Sequence, residues 1–376
     1  MLPLFEKNRP DWEIKFDNAE NYVLSVMPGE SDKTFFDPIM KREIKWEQDV
    51  YCPTCQIYDN KIYCVYRSFG DDNQWRMGFG WSEDGIYFNL ADQPVFYAKP
   101  EDEFLGSLRD LGIASISYGD SRLFVDEEGT YFLLFNYFSH GYVNIQELAV
   151  ASTKDFVNWT MHGRIFKNVS DRDLDVIPEK ASGRFPHPAV VTKLKNDKLV
   201  VAKISGKYWM YLCCQSTIGQ KCLCAATSEN MIDWEVVRDE QHELVYPMPL
   251  RSGEFDSGYI DTAAAVIRDD GILLIYNGIN GSPEEGGDLR RKTFAHYPAQ
   301  ALFSREDPTH HLKRSDSPFK GGDEELEKQP IVFCDFPLYE SWSLVPFKGE
   351  LLLYWNHGFG RYAVGVWKTP IPNNMR

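Results

Sequence analysis

The sequence predicts an all-β fold made of five similar units arranged around an axis. A turn signature recurs at Ser82 (SEDGIYF), Ser152 (STKDFVNW), Ser228 (SENMIDW) and, more weakly, Ser304 (SREDPTHHL), at intervals of roughly 70 to 76 residues. Few stretches carry the 3.6-residue apolar period of a helix. Regular repetition of short strands and turns therefore indicates a repeat architecture with little helix.

A second repeat lies between the copies of the first and consists of a turn followed by an alternating, aromatic strand. Its copies begin, in chain order, at Asn60 (NKIYCVYRS), Gly129 (GTYFLLFNY), Gly206 (GKYWMYLCC), Gly271 (GILLIYNG) and Gly349 (GELLLYWN). Glycine and asparagine suit the tight turn that opens each strand, and alternating apolar residues are typical of a half-buried strand. These copies mark five units.

Five units favour a five-bladed β-propeller. Each four-stranded blade of a propeller buries its faces only against neighbouring blades, so radial repetition explains both the strands and their spacing. A pair of β-sandwiches would explain the strands but not the fivefold spacing. We therefore expect a single domain over residues 1–376, in which the first ~40 residues form an extension that packs on the propeller.

Composition and charge exclude several classes of function. Of 376 residues, 43% are hydrophobic and 14% aromatic, which is enough for a substantial core. The net charge of −16 argues against a nucleic-acid partner, because phosphate binding needs clustered lysine and arginine. No apolar run approaches the ~20 residues of a membrane span, and the N-terminal MLPLFEKNRPDWEIKF does not resemble a signal peptide. We expect a cytoplasmic protein without a membrane partner; its oligomeric state stays open.

Eight cysteines raise the question of a metal site. The pairs CPTC (Cys52 and Cys55) and CLC (Cys222 and Cys224) lie far apart, each within an apolar, strand-like segment. Buried thiols in a reducing compartment explain them better than zinc does. The chain has no P-loop, HExxH motif or GxGxxG between a strand and a helix. We therefore expect no metal and no cofactor.

One polar residue stands at a similar place in each unit. Counting back roughly nine to eleven residues from a turn reaches Asp49, Asp120, His187, Asp261 and Glu340. Because the innermost strand of each propeller blade lines the channel, we expect these side chains to face one funnel. The simpler alternative is that each residue caps a turn, as aspartate commonly does.

The aromatic residues near these positions suit a sugar ligand. Aromatic faces stack on the C–H surfaces of sugar rings and carboxylates bind hydroxyl groups. The tryptophans concerned are Trp209, Trp342 and Trp355. Taken singly, each tryptophan is more commonly a core residue.

Read with their turns, these segments resemble glycoside hydrolase family 130, the β-mannoside phosphorylases and hydrolases. PTCQIYDNKIYCVYRS…RMGFGWSEDGIYF from Pro53 is similar to the family's NPaavvkdGkvyLLYRA…S.IGyAtSeDGihF, and GDSRLFVDEEGTYFLLFNY from Gly119 to EDPRi…dGtYYmtYTa. The family's kinGKYWMYwge…lAtSdDlihW is similar to KISGKYWMYLCC…AATSENMIDW of this chain. Its DS…GpPai…GwlLiYnG is similar to FDSGYIDTAAAVIRDDGILLIYNG. The resemblance runs from about residue 40 to 370 and implies an enzyme of carbohydrate metabolism that acts on mannosides.

The resemblance implies roles for individual residues. Asp120 matches the aspartate of EDPR, the family's general acid, while Arg122 and Arg67 match arginines that contact the sugar. Asp261 is the proposed general base and Glu340 the alternative base. The other residues expected to bind the oligosaccharide substrate are Asp49, His187, Lys203, Tyr208, Asn277, Trp342, His357 and Arg361.

Two details favour water over phosphate as the nucleophile. Family phosphorylases carry a phosphate-contacting histidine in YHG, where this chain has Asn277 in YNG, and hydrolytic members have a glutamate where Asp261 stands. Inverting hydrolysis needs an acid and a base with carboxyl groups about 6.5–9.5 Å apart. Phosphorolysis remains the alternative, because Arg67, Arg122, Lys203 and His187 together would form an anion site.

The chain also departs from the family pattern. Gly119 and Ser121 replace the glutamate and proline that flank the catalytic aspartate. Cys214 or Gln215 falls near a glutamate of the hydrolytic members, and WNHGFGRYAVGV offers His357 and Arg361 in place of the late sugar-binding aspartate. These departures motivate an alternative from another class, a propeller that binds glycan without cleaving it.

Overall fold

The computed structural model describes residues 9–26, 29–100, 115–140, 146–166, 187–215, 221–319, 339–357 and 363–375. Within these ranges the chain forms 24 strands and two one-turn 3₁₀-helices, Pro283–Glu285 and Asn373–Met375. The all-β prediction is therefore confirmed. No helix in the described ranges is long and apolar enough to cross a bilayer.

Antiparallel groups of strands follow one another along the chain. Strand β1 (Asp17–Ser25) and the hairpin of β2 (Thr34–Asp37) and β3 (Arg42–Lys45) come first. The next sheet contains β4 (Tyr51–Tyr58), β5 (Lys61–Phe69), β6 (Trp75–Ser82) and β7 (Asn89–Leu90), in that order. A second sheet contains β8 (Ser115–Val125), β9 (Tyr131–His140), β10 (Gln146–Thr153) and β11 (Trp159–Arg164).

The third and fourth groups share one ten-stranded sheet. The third comprises β12 (Ala189–Lys195), β13 (Lys198–Val201), β14 (Lys203–Ile204), β15 (Lys207–Gln215), β16 (Lys221–Ser228) and β17 (Trp234–Val236). The fourth comprises β18 (Tyr259–Arg268), β19 (Gly271–Ile279), β20 (His296–Phe303) and β21 (His311–Arg314). Parallel pairing of β12 with β18 joins them, and the Thr192 hydroxyl adds a hydrogen bond of 2.8 Å to the Ala265 carbonyl.

The last sheet combines the two ends of the chain. Its strands β22 (Glu340–Phe347), β23 (Glu350–His357) and β24 (Ala363–Pro370) are joined at the outer edge by β1, which runs antiparallel to β24. The N-terminal segment, expected to pack on the propeller as an extension, thus supplies a strand of this sheet. Pairing with β1 covers the free edge that β24 would otherwise present to solvent.

The recurring turn signature has one structural basis. At its four copies, a hydroxyl accepts a hydrogen bond from the amide three residues later: Ser82 from Gly85 at 2.8 Å, Thr153 from Phe156 at 3.0 Å, Ser228 from Met231 at 3.0 Å and Ser304 from Asp307 at 3.2 Å. The second copy therefore uses Thr153 rather than Ser152. Such turns connect the last two strands of each of these four groups.

The first strands of all five groups line one small internal cavity of about 20 Å³. Its walls include Thr54 of β4, Arg122 of β8, Thr192 of β12, Ala264 of β18 and Trp342 of β22. These five strands consequently approach one another at their inner edges, and the polar residues at their starts come together above the cavity.

The cysteines are mostly core thiols. Cys52, Cys55, Cys64, Cys213 and Cys222 are buried and unbridged. The expectation of thiols throughout is wrong for Cys224, which is disulfide-bonded.

Candidate active site

The site is built on irregularities in the first strands. Cys52, Asp120 and His187 have positive φ angles of 56°, 48° and 58°. In β4 and β8 the pairing register shifts where Cys52 and Asp120 stand, and β18 and β22 carry similar shifts. Such bulges redirect side chains and are common beside active sites. Here they turn polar groups from separate strands toward one point.

Strand pairing corrects the register inferred by counting. The equivalent positions are Tyr51, Gly119, Asp261 and Glu340, because they lie opposite Arg67, Asn136, Asn277 and Asn356 on the second strands. Asp120 is one residue beyond this position, in the bulge, and Asp49 is two residues before it. Gly119, which stands where the resemblance expects a glutamate, is thus the counterpart of Asp261 and Glu340.

Asp120 is surrounded by donors. Its Oδ1 accepts hydrogen bonds from Arg67 at 2.8 Å and from the Cys52 thiol at 3.2 Å, and its Oδ2 lies 3.8 Å from Nε2 of His187. Burial raises the pKa of Asp120, but Arg67, His187 and Cys52 outweigh that effect and hold the pKa below its ordinary value. The carboxyl group is therefore ionised at neutral pH.

His187 bridges two carboxylates. Its Nδ1 lies 2.7 Å from Oδ1 of Asp261 in an ion pair whose N–H is not aligned with the oxygen. Burial lowers the pKa of His187, whereas Asp261 and Asp120 raise it, with a net rise to about 9. The ring packs edge-on against Trp342 at a centroid distance of 4.9 Å. The imidazole therefore carries a proton at neutral pH.

Glu340 belongs to a second set of contacts. Its Oε2 accepts hydrogen bonds from Tyr51 at 3.2 Å and Asn356 at 2.9 Å, and its Oε1 lies 3.5 Å from Nδ1 of His296. Burial raises the pKa of Glu340, but His296, His187 and Asn356 lower it to about 2. Asn356 also accepts from the Cys52 amide at 2.9 Å, which links this set to Asp120.

The two predicted substrate-binding arginines occupy different places. Arg67 is stacked between Tyr51 and Trp75, at 4.9 and 4.5 Å from the ring centroids. Arg122 is only 2% exposed, donates to the Thr262 carbonyl at 2.8 Å and lies 3.5 Å from the centroid of Trp342. Burial lowers the pKa of Arg122 to about 10. Arg67 is therefore at the partly open surface of the site, and Arg122 lies beneath it.

Several predicted residues lie apart from this cluster or are engaged elsewhere. The carboxylate of Asp49 accepts from the Phe69 amide at 2.7 Å, and the Asn277 side chain is hydrogen-bonded in both directions to the Ser341 backbone. Lys203 is exposed, donates to the Glu229 carbonyl and lies over Tyr208, at the end of β15 remote from His187. The side chain of His357 and the whole of Arg361 lie outside the described residues.

Some neighbours of the acids were not singled out from the sequence. Tyr51 lies nine residues before Asn60, within the counted interval, but is neither an acid nor a histidine. Cys52 is the next residue, and His296 and Asn356 lie on later strands of their groups. Trp75 begins β6 and contacts Arg67. The only available signal was the resemblance itself, since Cys52 stands where the family pattern has asparagine before proline.

One group among the described residues has metal-like spacing. The ligand atoms of His187, Asp261 and Glu340 all lie within 4.8 Å of one another. Protonated His187 and the buried guanidinium of Arg122 already supply positive charge to both carboxylates. The negative charge of the described carboxylates is therefore balanced by neighbouring side chains of the protein.

Carboxyl groups that converge from neighbouring β-strands are the kind of arrangement that glycoside-cleaving enzymes use. The family model described as beta-1,4-mannooligosaccharide phosphorylase matches residues 34–296. The chain belongs to glycoside hydrolase family 130.

Three relatives illustrate this membership. A solved structure from work on how "the GH130 family of mannoside phosphorylases contains glycoside hydrolases that target beta-1,2 mannosidic linkages in Candida mannan" is 27% identical, with a TM-score of 0.80 and 99% of each chain covered. A glycosyl hydrolase from Bacteroides ovatus is 27% identical, with a TM-score of 0.79 and 96% of each chain covered. A 1,2-beta-oligomannan phosphorylase from Thermoanaerobacter sp. (strain X514) is 28% identical over an alignment of 163 residues, which covers 41% of this chain and 50% of that protein. The match thus spans about half the length of this relative.

Proposed function

We propose that this protein hydrolyses β-linked mannosides with inversion of configuration. One observation carries the proposal: Asp120 and Asp261 approach the same imidazole from different strands, at 3.8 and 2.7 Å. Because the imidazole ring lies between the two carboxyl groups, contacts of this length are compatible with the roughly 6.5–9.5 Å that separates the carboxyl groups of an inverting acid and base. In this proposal Asp120 passes a proton to the leaving oxygen, and Asp261 assists the attacking water.

The charges of the described residues support water as the nucleophile. Arg67 is paired with Asp120, Arg122 is buried beneath the acids, and Lys203 lies elsewhere. Lys203 is therefore not part of the anion site that the sequence suggested. A phosphate that entered this site would also lie close to the carboxylates of Asp120, Asp261 and Glu340. Similarity over 99% of both chains to a structure from work on hydrolytic members supports the same choice.

Phosphorolysis is the second candidate, because the family model and the curated relative are both described as phosphorylases. The deciding experiment incubates the protein with β-1,2- and β-1,4-linked manno-oligosaccharides, with and without phosphate, and separates the products. Free mannose in both buffers supports hydrolysis. Sugar 1-phosphate as the main product in phosphate supports the alternative, and the anomer released first, read by NMR, tests inversion.

A glycan-binding protein without activity is the remaining alternative. Calorimetric binding of the same oligosaccharides without any product, at high protein concentration and long incubation, would establish it. Asp120→Asn serves as the control: any product that the site itself makes should decrease in this variant, whereas background product should not.

We also propose that the five groups form one closed five-bladed propeller in a single domain. The shared cavity supports closure, since a strand of every group contributes to its walls. The strand that β1 adds to the last sheet supports it further, because joining the chain ends in one blade closes a ring.

The proposed location of the protein is the cytosol. Fractionation of the native host tests this location, and titration of free thiols tests whether the Cys224 disulfide forms there.

A further inference from the structure

We propose that His187 carries the proton used by Asp120 and thereby acts as a positioning residue for proton transfer. The proposal rests on the proposed function and gives His187 a task beyond contact with the sugar. The geometry points to it because the ring joins the two carboxylates. Nδ1 faces Asp261 at 2.7 Å and Nε2 faces Asp120 at 3.8 Å.

The backbone holds the ring in this place. His187 adopts a left-handed φ of 58°, and its carbonyl accepts a hydrogen bond from the Thr262 hydroxyl on the neighbouring strand. Trp342 packs against the face of the site and limits rotation of the ring. Positive φ is uncommon outside glycine, although histidine adopts it more readily than most residues, and the contacts with Thr262 and Trp342 hold His187 in this conformation.

The charges around the ring explain why a carrier is required. Asp120 is kept ionised by Arg67, so the general acid has no proton of its own at neutral pH. Arginine does not give up its protons under these conditions. His187 is the adjacent group that holds a proton and can release it. The charged or titratable groups of the described residues that act on the cluster are Asp49, Tyr51, Cys52, Arg67, Asp120, Arg122, Tyr259, Asp261, His296 and Glu340.

The proton balance of inverting hydrolysis then closes. As the glycosidic bond breaks, the leaving oxygen takes a proton from Asp120, which receives one from Nε2 of His187. Water forms the new bond to the sugar carbon and loses a proton to Asp261. Nδ1 of the imidazole still bears its own proton, so Asp261 releases the proton it received to solvent water, and Nε2 of His187 takes up one proton from solvent, which returns the site to its starting state.

The test is the pH profile of kcat/KM for a manno-oligosaccharide. For the wild type, activity should fall as pH rises through about 9, where the imidazolium is lost. His187→Gln should move this alkaline limb to lower pH by at least about one unit and lower kcat/KM by ~10²-fold or more at pH 7.5. His296→Gln, a change at the other buried histidine of the cluster, should leave the limb in place whatever its rate.

A second substrate separates proton delivery from a general loss of structure. An aryl mannoside with a strongly acidic phenol needs little protonation, so His187→Gln should lose less than about tenfold on it. An unchanged alkaline limb, or equal losses on both substrates, would overturn the proposal while leaving hydrolysis established. If the wild type cleaves neither substrate, the proposed function itself fails.

A measurement on the unmodified chain guards against misfolding of the variant. Nitrogen-15 NMR of labelled histidine in the wild type should show at least one imidazole still protonated at pH 8, against an ordinary pKa of about 6.5. Complete deprotonation of all eight histidines below pH 8 would also overturn the proposal.

Discussion

The guanidinium of Arg67 is fixed on the carboxylate of Asp120 at 2.8 Å, and Tyr51 and Trp75 hold it from both sides. Side-chain exposures of 13% and 12% place the pair mostly out of water. In this setting each charge depends on the other, because water does not replace a lost partner.

Removal of this partner should be costly. Arg67→Met leaves Asp120 with His187 as its remaining cation, and we expect the free energy of unfolding to fall by about 3 kcal/mol. Adding Asp120→Asn to Arg67→Met should restore part of that loss, because no buried charge is then unpaired. Urea denaturation measures both. As a control, Lys45→Met breaks an ion pair with Asp32 on the exposed surface and should lower the free energy of unfolding far less. Equal losses of stability in Arg67→Met and Lys45→Met would contradict this account.

Asp120→Asn tests the acid. Asparagine tolerates positive φ better than most residues, so the 48° backbone angle should survive the change. We expect turnover of a manno-oligosaccharide to fall by about 10²–10⁴-fold with substrate binding retained. A loss below tenfold, measured by product chromatography at unchanged affinity, would show that another group supplies the proton.

The sequence predicted more of the fold than of the site. Turn signatures at Ser82, Ser228 and Ser304 reflect local hydrogen bonds, and local bonds repeat visibly in a sequence. Pairing between groups, such as that of β12 with β18, depends on contacts far apart in the chain and leaves no periodic trace.

The site was predicted in part for the same reason. Asp120, His187, Asp261 and Glu340 were found because they stand at similar distances before turns, and the structure brings them together. Counting failed for Asp49 because this residue lies eleven residues before its turn, two residues before Tyr51, which strand pairing places at the matching position. Partners on later strands, such as His296, follow from strand pairing and could not be counted at all.

Asp261→Ala tests the base. Loss of the carboxylate should abolish hydrolysis, and azide should restore part of the turnover of an activated mannoside, because a small anion needs no base to attack. Product analysis should then find the glycosyl azide. Glu340→Gln is the comparison: if it, and not Asp261→Ala, yields the azide product, Glu340 is the base.

The stability of the protein should report the His187 ion pairs independently of activity. A pKa raised to about 9 in the fold from an unfolded value of about 6.5 gives stability that is complete below pH 6.5 and is lost as pH rises through 9. The expected difference is on the order of 3 kcal/mol. Urea denaturation at pH 6 and pH 9.5 should show this decrease in the wild type and a smaller one in His187→Gln; parallel decreases in both would contradict the assignment.

Gly119 tests whether the departure from the family glutamate shapes the site. A Cβ atom at this position would lie 3.0 Å from Cδ of Arg67 and 3.3 Å from Cε3 of Trp75, and Arg67 has little freedom to move because Asp120 and two rings hold it. Gly119→Ala should therefore displace Arg67 and reduce kcat/KM by about tenfold, with a small change in stability.

Gly206→Ala is the matched control for Gly119→Ala. Gly206 has nothing within 4 Å of an added Cβ, but its φ is +86°, so alanine there should cost about 1–2 kcal/mol of stability and leave kcat/KM unchanged. Kinetics and urea denaturation should therefore show lower activity with nearly unchanged stability for Gly119→Ala, and lower stability with unchanged activity for Gly206→Ala. If Gly119→Ala keeps full activity, the space that glycine leaves beside Arg67 is not needed for catalysis, and the missing glutamate has another cause.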